Sequence, residues 1–165
     1  MTAQTGRTKV RWIRFCLDDS TGTPREIPIN SLSAVGFVYE ENDVTAWQDA
    51  VKGYLAGHPD APIEISGPFD NSAAVALAAS AAAPALSGSH TVLYNLAGAG
   101  TPLGLAVMFG IRHNWETGEP VFGVVAPSAT SGYLCTSYTV EGETYSARFV
   151  PYPGTTPAWG TAILT

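Results

Sequence analysis

Residues 134–150 read Leu-Cys-Thr-Ser-Tyr-Thr-Val-Glu-Gly-Glu-Thr-Tyr-Ser-Ala-Arg-Phe-Val, two runs of aromatic, β-branched and hydroxyl side chains divided by Glu141-Gly142-Glu143. Runs of that composition around a short Gly-centred break predict a β-hairpin. Upstream, Leu103, Leu105, Val107, Phe109 and Ile111 alternate with Gly104, Ala106, Met108 and Gly110, so this strand has one bulky face and one small face. Residues 116–119 (Glu-Thr-Gly-Glu) separate it from 121–125 at hairpin spacing, and the second half of the chain reads as an antiparallel meander.

The first half continues the pattern. Residues 9–17 (KVRWIRFCL) form a strand candidate closed by the turn cluster 18–24; the chain resumes at 26–29, 33–39 is a second strand candidate ended by the acidic knot 40–43, 44–47 is a further extended candidate, and 52–57 leads on through 58–60. In 61–69, Ile63, Ile65 and Gly67 share one face and Glu64 and Ser66 the other, which predicts a half-buried strand. Residues 90–96 and 159–164 complete the strand list. Asp70-Asn71-Ser72 supplies N-cap side chains before an alanine-rich run that Pro84 ends, so a helix is predicted over about 71–83. The fold class that follows is mainly β: an antiparallel β-sandwich or barrel with one flanking α-helix, residues 1–8 forming a polar arm and 9–165 a single domain.

Composition limits what such a fold can do. A chain of 165 residues with 45% hydrophobic residues and mean hydropathy +0.10 can bury a core, so disorder is not expected. Charged residues make up only 13%, about half the usual share, which leaves a surface suited to being covered by other chains. The net charge of −6 and pI near 4.8 argue against gripping nucleic acid, which needs Lys and Arg to displace counterions from phosphate. The first residues carry no apolar run of signal-peptide type, and no run is long enough to cross a bilayer as a helix.

Little in the sequence suggests reaction chemistry. His58, His90 and His113 stand in no metal-ligand spacing, and His58, Asp60 and Glu64 are not read as a ligand set. Residues 98–104 (GAGTPLG) lack the spacing and following helix of a phosphate loop, and no GxSxG elbow occurs. No catalytic residue, cofactor or metal is assigned, and an enzyme is not expected. Cys16 and Cys135 belong to no CxxC pattern and read as buried thiols, although spacing alone does not settle whether they pair. Trp12, Trp47, Trp115 and Trp159 could stack on sugar rings, but in a weakly charged β protein they more often fill cores and subunit interfaces.

Several segments together resemble the siphovirus (long-tailed bacteriophage) major tail tube protein family. Residues 15–27 (FCLDDSTGTPREI) look like the family's opening strand and turn. Residues 40–47 (EENDVTAW), 53–57 (GYLAG) and 63–70 (IEISGPFD) are similar to its middle segments, and 134–149 to its closing pair of strands. The alanine-rich run departs from the family's pattern. The resemblance implies a single-domain structural subunit of the virion tail, made in the host cytoplasm. Such subunits form rings, usually hexamers, that stack into a tube for DNA ejection. Its partners would be itself, other tail proteins at the tube ends, and genomic DNA passing without specific binding. A closed ring would also use the strand edges that are hazardous in a monomer. Alternatives are a capsid decoration protein, a tail terminator at the head–tail junction, or a carbohydrate-binding module on the virion. Asp18, Asp19, Thr21, Gly22, Glu40, Glu41, Asp43 and Asp49 are the candidates for bore-lining or assembly contacts; acid groups in a bore would repel DNA.

Overall fold

The computed structural model describes residues 3–78 and 83–164. An exposed arm and one turn of 3-10 helix (Val10–Trp12) lead into β1 (Ile13–Asp18), β2 (Pro24–Glu26), β3 (Ser31–Leu32), β4 (Val38–Asp43), β5 (Tyr54–Asp60) and β6 (Ile63–Pro68). A short helix α1 (Ser89–Leu93) follows, then β7 (Leu105–Phe109), β8 (Val121–Val124), β9 (Tyr133–Glu141), β10 (Thr144–Pro151) and β11 (Ala158–Gly160). They form a five-stranded sheet in the order β11-β8-β7-β1-β2, a four-stranded sheet β3-β6-β10-β9, and a two-stranded ribbon β4-β5. Every pairing between these strands is antiparallel.

Strand alternation decides what each face does. Across the five-stranded sheet, Phe15 stands opposite Val107, Val107 opposite Phe122, and Phe122 opposite Trp159. Phe15, Val107 and Phe122 meet Ile63, Ile65, Tyr145, Ala147 and Phe149 of the four-stranded sheet in the main core, and the Phe15 and Phe149 rings lie 5.6 Å apart. Each buried aromatic of this kind stabilises the fold by about 1.5–3 kcal/mol through area removed from water. Two phenols also close the layers: Tyr145 Oη donates to the Pro28 carbonyl at 2.7 Å and Tyr133 Oη to the Ala61 carbonyl at 3.0 Å. The intervening side chains Cys16, Ala106 and Met108 point the other way and pack with Trp115, Val121 and Leu164 in a second core. The alternation of bulky and small residues in 103–111 thus marks a strand buried on both faces.

The predicted mainly β sandwich with one helix is present, but the helix lies elsewhere. Residues 71–78 form no helix and no strand, and 79–82, also part of that prediction, fall outside the described residues. Ser87 Oγ accepts from the Val75 N–H, Thr91 Oγ1 donates to the Ser72 carbonyl, and Gly88 approaches Ser72 so closely that a Cβ would sit 2.3 Å from its oxygen. These cross-links give the backbone partners a helix would have used, and a mostly exposed alanine run has little apolar face to bury in return. The helix forms instead at Ser89–Leu93, within a segment predicted as a strand, where Ser89, Val92, Leu93 and Leu96 are buried at helical spacing. Shorter corrections follow the same logic: regular strand begins at Ile13, not residue 9, and residues 33–37 precede β4 without joining it.

Gly123 shows how tight the double-faced sheet is. Its φ is +147° and a Cβ there would lie 2.0 Å from the Leu105 carbonyl oxygen. Gly123→Ala should destabilise the chain by at least about 2 kcal/mol in denaturant unfolding, since neither the backbone nor its neighbour can give way.

Candidate assembly surfaces

The eight sequence candidates fall on two separate features. Asp18 ends β1 and Asp19, Thr21 and Gly22 form the turn into β2, whereas Glu40, Glu41, Asp43 and Asp49 belong to the β4-β5 ribbon and its loop.

In the turn, Asp19 organises the backbone. Its Oδ1 accepts from Thr21 N–H at 2.9 Å, Thr21 Oγ1 at 2.7 Å and Thr23 N–H at 3.0 Å, and its Oδ2 pairs with Arg25 Nε at 3.0 Å. Burial pushes this carboxyl up, but the hydrogen bonds from Thr21, Thr23 and Arg25 outweigh it and hold Asp19 below its ordinary value. Gly22 takes φ +79° with open space around its Cβ position. Asp18 differs. It is 4% exposed; its Oδ2 accepts from Gly104 N–H at 2.9 Å, and its Oδ1 is buried with no hydrogen-bond partner. Burial raises its carboxyl above the ordinary value, the Gly104 bond opposes that, and the charge of Asp19 adds to it.

Every residue of β4 is exposed, and in β5 only Gly57 is partly covered. Val38, Tyr39, Val44, Trp47, Val51, Tyr54 and Leu55 are all exposed large hydrophobic side chains, with Trp47 fully in solvent. Strand alternation puts the adjacent pairs Val38/Tyr39 and Tyr54/Leu55 on opposite faces, so both sides of the ribbon carry apolar surface. Asp43 and Asp49 shape its loop: Asp43 Oδ1 accepts from Thr45 N–H and Asp49 Oδ2 from Ala46 N–H. Glu40 and Glu41 stand exposed on β4.

Two further surfaces are uncovered. The outer face of the four-stranded sheet aligns Ser31, Ser66 and Ser146 in register, beside the Glu64–Arg148 ion pair. Residues 136–141 of β9 have β10 on one side and, among the described residues, no strand on the other.

The sequence reading missed the buried polar fasteners. Arg14 and Glu26, 3% and 2% exposed, form a two-pronged ion pair in which Arg14 Nη2 lies 2.7 Å from Glu26 Oε2. Glu119 is 1% exposed and accepts from the N–H groups of Gln4, Ile111 and Glu116, pinning the arm to the β7-β8 connection. Arg14 lies on a strand whose neighbours are apolar, which was the available signal; Glu119 resembled any turn residue. Cys16 and Cys135 are both free and buried, in different cores, and burial pushes the Cys135 thiol up to about 11. Trp115 is buried and Trp159 packs on Phe109 and Phe122. Among the described residues no helix is long and apolar enough to cross a membrane, and no three His, Cys, Asp or Glu side chains converge as metal ligands.

No protein-family model matches the chain, and no curated protein does. Solved structures do. The chain is similar to one from the anti-feeding prophage tube-terminating cap (TM-score 0.55, 10% identity), covering 98% of this chain and 96% of that one. It is similar to one from the six-fold-symmetrised anti-feeding prophage baseplate (TM-score 0.53, 8% identity, 97% of both chains). A third match is to the sheath/tube terminator structure of an extracellular contractile injection system in its extended state (TM-score 0.51, 10% identity, 96% and 99%). At these identities the likeness establishes the fold.

Two measurements test the turn. Gly22→Ala should cost about 1 kcal/mol, the penalty of a Cβ in the left-handed region, because nothing crowds the site. Asp18 is raised in the folded chain, so the stability it contributes is complete below the ordinary carboxylate range and is lost as pH rises through its folded value. Asp18→Asn should therefore melt higher than the parent at pH 7, with the gain shrinking toward pH 3.

Proposed function

We propose that this chain is a non-enzymatic, self-associating structural subunit of a phage-type tail assembly, and that its place is the ring terminating the tube. The observation that carries the reading is the β4-β5 ribbon. A two-stranded ribbon is marginal on its own in water, and this one holds seven large apolar side chains in solvent. Such a surface is suited to burial against another chain. The open β9 edge supports the same reading, because an uncovered strand is a template for strand addition. The likeness to a tube-terminating cap and to a sheath/tube terminator structure favours the terminal ring over the repeating tube.

A second reading, the subunit of the tube itself, is favoured by the resemblance of residues 15–27, 40–47, 53–57, 63–70 and 134–149 to the siphovirus tube family. In either place the uncovered serine-rich sheet face, with its one neutralising ion pair, suits a wall that DNA or another cargo must slide past better than the acidic turn does.

Negative-stain electron microscopy of the purified chain separates the readings. The terminal ring predicts discrete closed rings, the tube reading predicts long open-ended tubes, and a decoration protein or sugar-binding module would give neither. Replacing Trp47 and Leu55 by Ser should leave the circular dichroism spectrum unchanged and abolish the rings. Rings that persist in that variant would contradict the role given to the ribbon.

A further inference from the structure

Glu119 has a neighbour whose own bonding is incomplete. The His113 side chain is 10% exposed; its Nε2 lies 3.4 Å from Glu119 Oε1, is buried, and has no hydrogen-bond partner. The other ring nitrogen settles the tautomer: Nδ1 contacts the Asn114 carbonyl oxygen, which can only accept, so Nδ1 carries the proton. In the neutral ring Nε2 is therefore a lone pair turned toward a buried carboxylate, which is unfavourable. In the imidazolium it is an N–H facing an acceptor, and the same contact becomes a charge-assisted bond.

The oxygen concerned is the one that holds the arm. Glu119 Oε1 accepts from Gln4 N–H at 3.0 Å, whereas Oε2 accepts from the N–H groups of Ile111 and Glu116 in the β7-β8 connection itself. The arm has few other fastenings. Thr8 Oγ1 donates to the Gly110 carbonyl at 2.8 Å, the Arg112 guanidinium lies against Gly6, and residues 3–10 are all exposed. The other charges around this pair are Glu116 and Arg112 in the connection and Arg7, the only charged residue of 3–8. Carboxylates and guanidinium groups ordinarily change charge well outside pH 5.5–7.5, and histidine changes within it. His58 and His90 belong to other elements, β5 and α1.

We propose that His113 and Glu119 form a proton-operated clasp on the N-terminal arm: protonated His113 fixes Glu119 and the arm lies closed, and loss of that proton loosens residues 3–8 from the β7-β8 connection. The favourable contact exists only with the proton in place, so the hold is full on the acid side of the histidine titration and falls as pH rises through it. Release frees a segment that bears Arg7 and leads into Lys9 and Arg11, a basic stretch on an acidic chain. The clasp is independent of the self-association proposed above.

Trypsin cleavage after Arg7 and Lys9, followed by intact mass on the full chain at one dilute concentration, reads how often the arm lifts. Dividing each rate by that of a free peptide of residues 1–14 removes the pH dependence of the protease. In the parent this ratio should rise at least about five-fold from pH 5.5 to pH 7.5, the scale of losing one charge-assisted hydrogen bond. His113→Phe should show the parent's high-pH ratio at both pH values, which also separates His113 from the α-amino group, another that titrates near neutrality. Gln4→Pro removes the N–H that Oε1 accepts, at an exposed position, so it should keep the parent's circular dichroism spectrum. At pH 5.5 its ratio should reach the level the parent attains at pH 7.5.

A parent ratio that stays flat with pH overturns the proposal, and so does a folded His113→Phe chain that keeps the parent's rise. Gln4→Pro without effect at pH 5.5 overturns it equally, because the arm is then held by something other than Glu119. Should His113→Phe fail to fold, the parent profile and Gln4→Pro decide between the same outcomes.

Discussion

A two-stranded antiparallel ribbon has two faces and no layer of its own to cover either. Most of the architecture described here solves that problem internally: the five-stranded sheet is buried on both sides, one against the four-stranded sheet and one against Trp115, Leu164 and their neighbours. The β4-β5 ribbon does not. Its side chains Tyr39, Trp47, Tyr54 and Leu55 lie in water although each would gain about 1.5–3 kcal/mol on full burial. The low charge of the chain fits the same requirement, since a surface that is to be covered needs few solvated ions.

The polar interior shows the contrast between carboxylates completed within the chain and one that is only half completed. Glu119 collects three backbone N–H groups, Glu26 takes two prongs of Arg14, and Asp19 is surrounded by Thr21, Thr23 and Arg25. Each of these carboxylates is satisfied where it stands. Asp18, one residue from Asp19, has a partner for only one of its oxygens.

How much of this was legible in sequence depends on whether the deciding contact was local. The alternation of Leu103 to Ile111 and of Ile63, Ile65 and Gly67 is a property of one strand, and it placed those residues on the correct faces. The alanine-rich run read as a helix on propensity alone, and nothing nearby announced that Ser87 and Thr91 would supply competing hydrogen bonds. The exposed ribbon was legible only in part: 33–39 and 44–47 read as extended, but nothing in Val38, Tyr39, Tyr54 and Leu55 separates a covered strand from an uncovered one, because the absence of a covering layer is a tertiary fact. The turn at Asp18 and Asp19 was located from its Asp, Thr and Gly residues. The difference between the two carboxylates depends on Gly104, 86 residues away from Asp18 in sequence, and could not be read from the turn itself.

The central claim is that the β4-β5 ribbon is completed by another chain. Amide hydrogen exchange followed across residues 38–60, at concentrations below and above the onset of assembly, tests it most directly. The account predicts rapid exchange in the dispersed chain and strong protection in the assembled one, with little change in β1, β7 and β8, which are already buried. Equal protection of the ribbon at every concentration, in a chain that remains monomeric, would contradict it.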